Sequence, residues 1–358
     1  MKFEDLEKIN NDIRPNSETF KWLPDYNSHD IESDQKILQI RENDPDYSKD
    51  DRSSAVIMEV TFINTIDRDD WFCEWDRFGD DENFEALSTI PTSKEDDNFN
   101  HIDLIGAISN SDTNHECIPF AIDLTYNANL NDPKSQEKLW QKFNWRHVYG
   151  KKANAENVSE FGKIIVEQKY DGTKRLATKP LPMKDRFGMK IPGFVAAKYY
   201  RDAGSSYPKA SEGCRIKVMP RFIVAFDPDL AHEIAGGGPD RDYAKKYGEA
   251  AYKNKKNEYE KAKSRAKWCM LTELTAQAAD IQSYLEKLSD DDKKWIAPDE
   301  LMTATKQITI MKKYFDGALK ANNEKALGDQ IEQDGKTYAS RDAFRQTVVN
   351  FSDLTYNK

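Results

Sequence analysis

A chain of 358 residues with a formal charge of -10, 32% charged and 38% hydrophobic residues has room for one large or two ordinary domains. Its total charge excludes a blanket affinity for nucleic acid, and its 17 Phe, 16 Tyr and 7 Trp exclude wholesale disorder. The mean hydropathy is -0.84 and no apolar run approaches a membrane span.

Residues 1–52 carry 14 Asp/Glu against 8 Lys/Arg. The spacing of Phe3, Leu6, Ile9 and Ile13 predicts a short helix, followed by a charged Asn/Asp/Ser-rich stretch read as partly irregular. In residues 53–66, SSAVIMEVTFINTI, Ser53 or Ser54 suits a helix cap while the β-branched content suits a strand. WFCEWDRF comes next, then a polar stretch read as loop to about Asn100. HIDLIGAI and CIPFAIDLTY flank the turn-rich SNSDTNHE and predict a β-hairpin of buried strands. Residues 131–147 read as a helix, capped by Asn131 or Asp132, with Pro133 in its first turn and Leu139, Trp140 and Phe143 on one face. KIIVEQKY, GFVAAKYY and RIKVMPRFIVAF predict further strands. Together these elements predict an α/β fold with a mixed central sheet flanked by helices.

Composition shifts after GGGP at 236–239. Residues 241–288 and about 300–322 read as helices, and 241–288 hold 11 Lys/Arg against 7 Asp/Glu. The expected organisation is an acidic segment over 1–52, an α/β core over 53–235 and a helical region over 240–358. Cys73, Cys117, Cys214 and Cys269 form no C-x-x-C pair and read as reduced thiols. With the early acidic residues of MKFEDLEKIN, this predicts a cytoplasmic location.

The hairpin carries the informative residues. With its turn centred near Thr113, position i faces position 226 - i, which sets Asp103 opposite Asp123. Directly facing residues have Cβ atoms roughly 4.5–5.5 Å apart. Two carboxylates at that distance persist with a shared proton or an intervening cation; a strand-end, solvated arrangement is the alternative. Alternation puts Thr125 on the face of Asp123.

Glu59 in AVIMEV, Asp103 in HIDLIGAI and Asp123 in FAIDLTY, followed by the 131–147 helix and later strands, resemble PD-(D/E)XK nucleases. That family has a helix with Glu, a hairpin with Asp on one strand and acidic-x-Lys on the next, then a helix and a strand. The resemblance covers roughly residues 50–230 and implies a restriction-endonuclease-like core. It implies metal-dependent phosphodiester hydrolysis, with Asp103, Asp123 and Glu59 holding Mg²⁺ or Mn²⁺, which polarises phosphate and activates water. This chain has Thr125 where the family has lysine. Either Lys142, Lys138 or Lys198 takes over that role, or the fold is a degenerate, non-catalytic module that binds nucleic acid or protein. Glu95, Asp96 and Asp97 read either as outer ligands or as a solvated loop.

Other features carry less. KYDG resembles the nucleotide-accepting motif of ATP-dependent ligases at Lys169, Asp171 and Gly172, but a strand ending in an Asp-Gly turn explains it without chemistry. GGGP lacks the Lys-Ser or Lys-Thr of a phosphate loop and reads as a linker. His101 shares a strand face with Asp103, as a proton carrier or as a surface histidine. The 241–267 helix interleaves Tyr243, Tyr247, Tyr252 and Tyr259 with lysines. That suits base stacking and phosphate contact or packing on a partner helix. The C-terminal helices are also a candidate surface for a protein partner or a second copy. No membrane contact is expected.

Overall fold

A computed structural model describes residues 84–94, 96–97, 102–110, 117–126, 163–170, 173–180, 193–197, 217–226, 241–293 and 296–326, with scattered positions between 14 and 39 and between 230 and 239. Its strands are β1 (Phe84–Pro91), β2 (Leu104–Asn110), β3 (Cys117–Tyr126), β4 (Lys163–Tyr170), β5 (Thr173–Pro180), β6 (Phe194–Ala197) and β7 (Lys217–Phe226). Helices α1 (Arg241–Tyr247), α2 (Glu249–Glu286), α3 (Asp290–Lys293) and α4 (Pro298–Ala326) follow. The fold is therefore α/β with a mixed sheet.

The main sheet runs β1-β2-β3-β7-β6. The first three strands form an antiparallel meander, β7 lies parallel to β3, and β6 pairs antiparallel with the start of β7. The hairpin β2–β3 has the expected register: Leu104 faces Ile122, Gly106 faces Phe120 and Ile108 faces Ile118. β4 and β5 form a separate ribbon whose last pair is Tyr170 with Thr173. Only residues 171 and 172, Asp-Gly, join them, which is the turn chemistry of a two-residue hairpin loop.

Strand alternation divides the sheet into two faces. Leu104, Ile108, Ile118, Phe120, Ile122, Leu124, Phe222 and Val224 join a core with Met270, Leu274, Ile281, Ile308, Met311 and Phe315 of α2 and α4. The opposite face carries a smaller apolar cluster of Ile105, Ala121, Val195, Ala197 and Met219. The composition change after residue 239 thus marks a change of element type, and the helices supply half of the core that the sheet needs. Phe120, Phe222 and Phe315 meet edge to face, with ring centroids 5.5–5.6 Å apart.

Two strands correct the sequence reading. β1 lies in the stretch read as loop, because FEALSTIP lacks strict alternation and gains its order from pairing with β2. β5, TKRLATKP, is polar in composition and gains its order from antiparallel pairing with β4. The element expected at 53–66 and the helix expected at 131–147 lie outside the described residues.

α2 has 38 residues, about 57 Å at 1.5 Å per residue. Its first buried side chain is Tyr259, and α1 buries none. Ten residues of α2, about 15 Å of helix, therefore precede its first buried side chain. Gly248 separates α1 from α2 at φ 91°, a left-handed conformation that glycine adopts without a Cβ penalty. Its N–H donates to the Ala244 carbonyl at 2.8 Å, closing α1.

Candidate functional site

Polar side chains gather where β1 ends, β2 begins and the parallel pair β3–β7 runs towards its carboxyl end. Thr92 follows β1. Its N–H donates to the Asp103 carbonyl at 3.2 Å and its hydroxyl reaches the same oxygen at 3.0 Å, as well as the Ile102 carbonyl. Ser93 accepts the Asp96 N–H at 3.1 Å and donates to the Asp96 carboxylate at 3.2 Å. Those bonds cap the turn at 94–97. Asp96 is fully buried, and Asp97 accepts a 2.9 Å bond from the Arg14 guanidinium. Neither Asp96 nor Asp97 is thus part of a solvated loop.

Asp103 occupies a bend one residue before β2. Its N–H donates to the Ile122 carbonyl at 2.9 Å, and its carboxylate accepts the Leu124 N–H at 2.6 Å. The side chain thereby extends the β2–β3 ladder by one rung after the backbone has turned away. The register places Asp103 beside Asp123, yet the bend breaks the alternation that would aim both carboxylates off one face. Asp103 spends its oxygen on an amide at the strand end.

Asp123 is buried at 2% exposure in β3, and Arg221 at 6% in β7. Ala121 pairs with Arg221 and Asp123 with Ile223, so the two charged residues are diagonal neighbours on the same face. The Arg221 guanidinium donates to the Asp123 carboxylate in a direct ion pair. The sequence reading missed Arg221, although a charged residue inside the apolar run VMPRFIVAF is the signal of a buried counter-ion.

β6 covers β7 only as far as Pro220. Beyond it the outer edge of β7 is completed by other groups. Arg221 N–H donates to the Gly193 carbonyl at 2.7 Å. The Gln277 amide accepts the Ile223 N–H at 2.8 Å and donates to the Ile223 carbonyl at 2.7 Å. Glu273 accepts the Ala225 N–H at 2.9 Å. Two side chains one helical turn apart on α2 therefore replace a strand, satisfying the backbone edge that an open sheet leaves bare.

Of the other expected site residues, Glu59 and Lys142 lie outside the described residues, as do Lys138, Lys198 and His101. Thr125 is in β3 with its backbone opposite Ala225. Among the described residues no cluster of three or more His, Cys, Asp or Glu side chains is arranged to hold a metal ion. The donor set agrees: Asp123 already faces a guanidinium and Asp103 an amide N–H, so this pair as arranged does not fit Mg²⁺ or Mn²⁺.

Comparison with family models, curated proteins and solved structures finds no match.

The second functional candidate is the projecting arm formed by α1 and the start of α2. Residues 241–256 hold six Lys/Arg and two Asp/Glu. Tyr243 and Tyr247 stack with centroids 4.6 Å apart, and Tyr247 is 54% exposed. Lys246 lies over the Tyr247 ring at 4.9 Å and Arg241 over Tyr252 at 5.7 Å. Tyr259 departs from the group: it is buried, and Gly238 abuts it so closely that a Cβ there would lie 2.9 Å from its Cδ1. Among the described residues no helix is long and apolar enough to cross a membrane.

Proposed function

We propose that this chain is a nucleic-acid-binding module, built on a nuclease-like mixed sheet, that holds single-stranded substrate along the α1–α2 arm. The observation that carries the reading is the arm itself, an aromatic and basic helical segment that buries no side chain before Tyr259. A helix built for packing alternates an apolar stripe with a solvated face. Here aromatic rings and cations share one exposed segment, which suits bases stacking on rings while lysines meet phosphate. The overall charge of -10 is offset locally by the six Lys/Arg against two Asp/Glu of residues 241–256, and physiological salt screens more distant charge over about 8 Å.

Binding without hydrolysis is the form of this reading that the acidic end of the sheet favours. The relation to PD-(D/E)XK nucleases is supported by the order of parts, a hairpin carrying Asp103 and Asp123 followed by a strand parallel to β3. The Arg221 partner of Asp123 is what speaks for a degenerate site.

Fluorescence anisotropy with labelled single-stranded and duplex oligonucleotides tests the proposal. Single strands bind more tightly, with an affinity that falls linearly in log–log salt plots. Reversing Lys245, Lys246 and Lys253 to Glu lowers affinity at least ~10-fold and flattens the salt slope. Tyr247→Ala costs ~10-fold on single strands and less on duplex. Unchanged affinity in both variants rejects the arm as the site. Strand cleavage in Mg²⁺ that disappears in Asp123→Asn establishes hydrolysis instead.

A further inference from the structure

We infer that the Arg221 guanidinium is the built-in counter-ion of the sheet's acidic end, taking the electrostatic place that the sequence pattern assigns to a divalent cation. Three observations converge on this, none involving the arm. The register that pairs Leu104 with Ile122 carries the backbone of Asp103 to the position beside Asp123, so two acidic residues stand at one end of the sheet. Asp123 is almost fully buried and ion-paired to an equally buried Arg221 from the neighbouring parallel strand. Arg221 is itself fixed, because its N–H is bonded to the Gly193 carbonyl at 2.7 Å.

A buried carboxylate stays ionised when a positive charge lies within contact distance; without one, burial favours its protonated form. A divalent ion supplies that charge reversibly, with an affinity that depends on free metal and pH. A guanidinium supplies it permanently, since arginine does not lose its proton in proteins. The Asp103 carboxylate accepts the Leu124 N–H at 2.6 Å. The chain consequently holds this end of the sheet without an exchangeable ion.

Thermal unfolding of the full chain in EDTA, in millimolar Mn²⁺ and in millimolar Ca²⁺ tests the inference. The wild-type Tm is the same in all three. Arg221→Gln lowers Tm by roughly 10 °C in EDTA and regains about half of that loss in saturating Mn²⁺. The Asp123→Asn/Arg221→Gln variant is more stable than Arg221→Gln in EDTA and indifferent to metal. A wild-type Tm that rises in Mn²⁺, with the rise abolished by Asp123→Asn, overturns the inference, as does a folded Arg221→Gln that ignores metal. Should Arg221→Gln not fold, the double variant decides: recovery of folding by the neutral pair supports the counter-ion role, and its failure to fold overturns it.

Discussion

At Gly106 the hairpin has no room for a side chain, since a Cβ there would lie 2.8 Å from Cε1 and Cε2 of Phe120 on the facing strand. Glycine here serves close approach: the Phe120 ring lies across the backbone of β2 and then meets Phe222 and Phe315. Gly106→Ala is expected to destabilise the chain by about 1–3 kcal/mol through overpacking, measured by urea unfolding. Phe120→Leu in the Gly106→Ala background should recover part of that loss, because it vacates the contested space; simple additivity of the two costs would reject the steric account. The same hairpin shows what the sequence made legible at this scale. The turn-centred symmetry of HIDLIGAI and CIPFAIDLTY fixed the register and the neighbourhood of Asp103 and Asp123. It did not reveal the bend at Asp103, whose carbonyl accepts bonds from Thr92, the residue that follows β1. Nor did it reveal Arg221, which parallel pairing brings to Asp123 across 98 residues of chain.

At the scale of elements, strands and helices with strong local patterns were readable and those ordered by partners were not. β3 and β4 match the apolar runs residue for residue, and α4 begins and ends within a few residues of expectation, while the helix read over 241–288 is broken at Gly248 into α1 and α2. β1 has no such pattern and exists as an edge strand paired to β2. The less obvious element is the substitute edge on α2. Glu273 and Gln277 sit in the same helical stripe as Met270, Leu274, Ala278 and Ile281. A polar residue within an apolar stripe signals a buried bond, and here the partners are backbone groups of β7. Gln277→Leu fits the stripe yet strips both bonds from Ile223, leaving a buried N–H and C=O. The expected cost is about 2–3 kcal/mol, and the readout specific to this mechanism is amide exchange. The Ile223 amide should exchange at least ~10-fold faster under native conditions, while amides of β1 change little. Equal acceleration throughout the sheet would mean that Gln277 acts only through overall stability.

For the whole molecule, the decisive question is whether the sheet and the helical hairpin unfold together. The three phenylalanines join them: Phe120 from β3, Phe222 from β7 and Phe315 from α4 form a closed edge-to-face set with no ring exposed. Around it the apolar residues of α2, α4 and the sheet form a single cluster. A sheet stripped of these helices would expose the whole row from Leu104 to Val224 to water, and the helices alone would expose theirs. Neither half has a core of its own on this face. Phe315→Ala removes one ring from the junction and is expected to cost about 3–5 kcal/mol. Because the junction is shared, far-UV circular dichroism, which follows the helices, and near-UV signals from the packed aromatics should shift to the same lower denaturant midpoint with an unchanged slope. Two separated transitions, with the helical signal unmoved by Phe315→Ala, would show that residues after 239 fold as an independent unit. In that case the α1–α2 arm would have to be treated as part of a separate domain, since the rigidity with which the continuous α2 helix carries it depends on α2 being locked into this core.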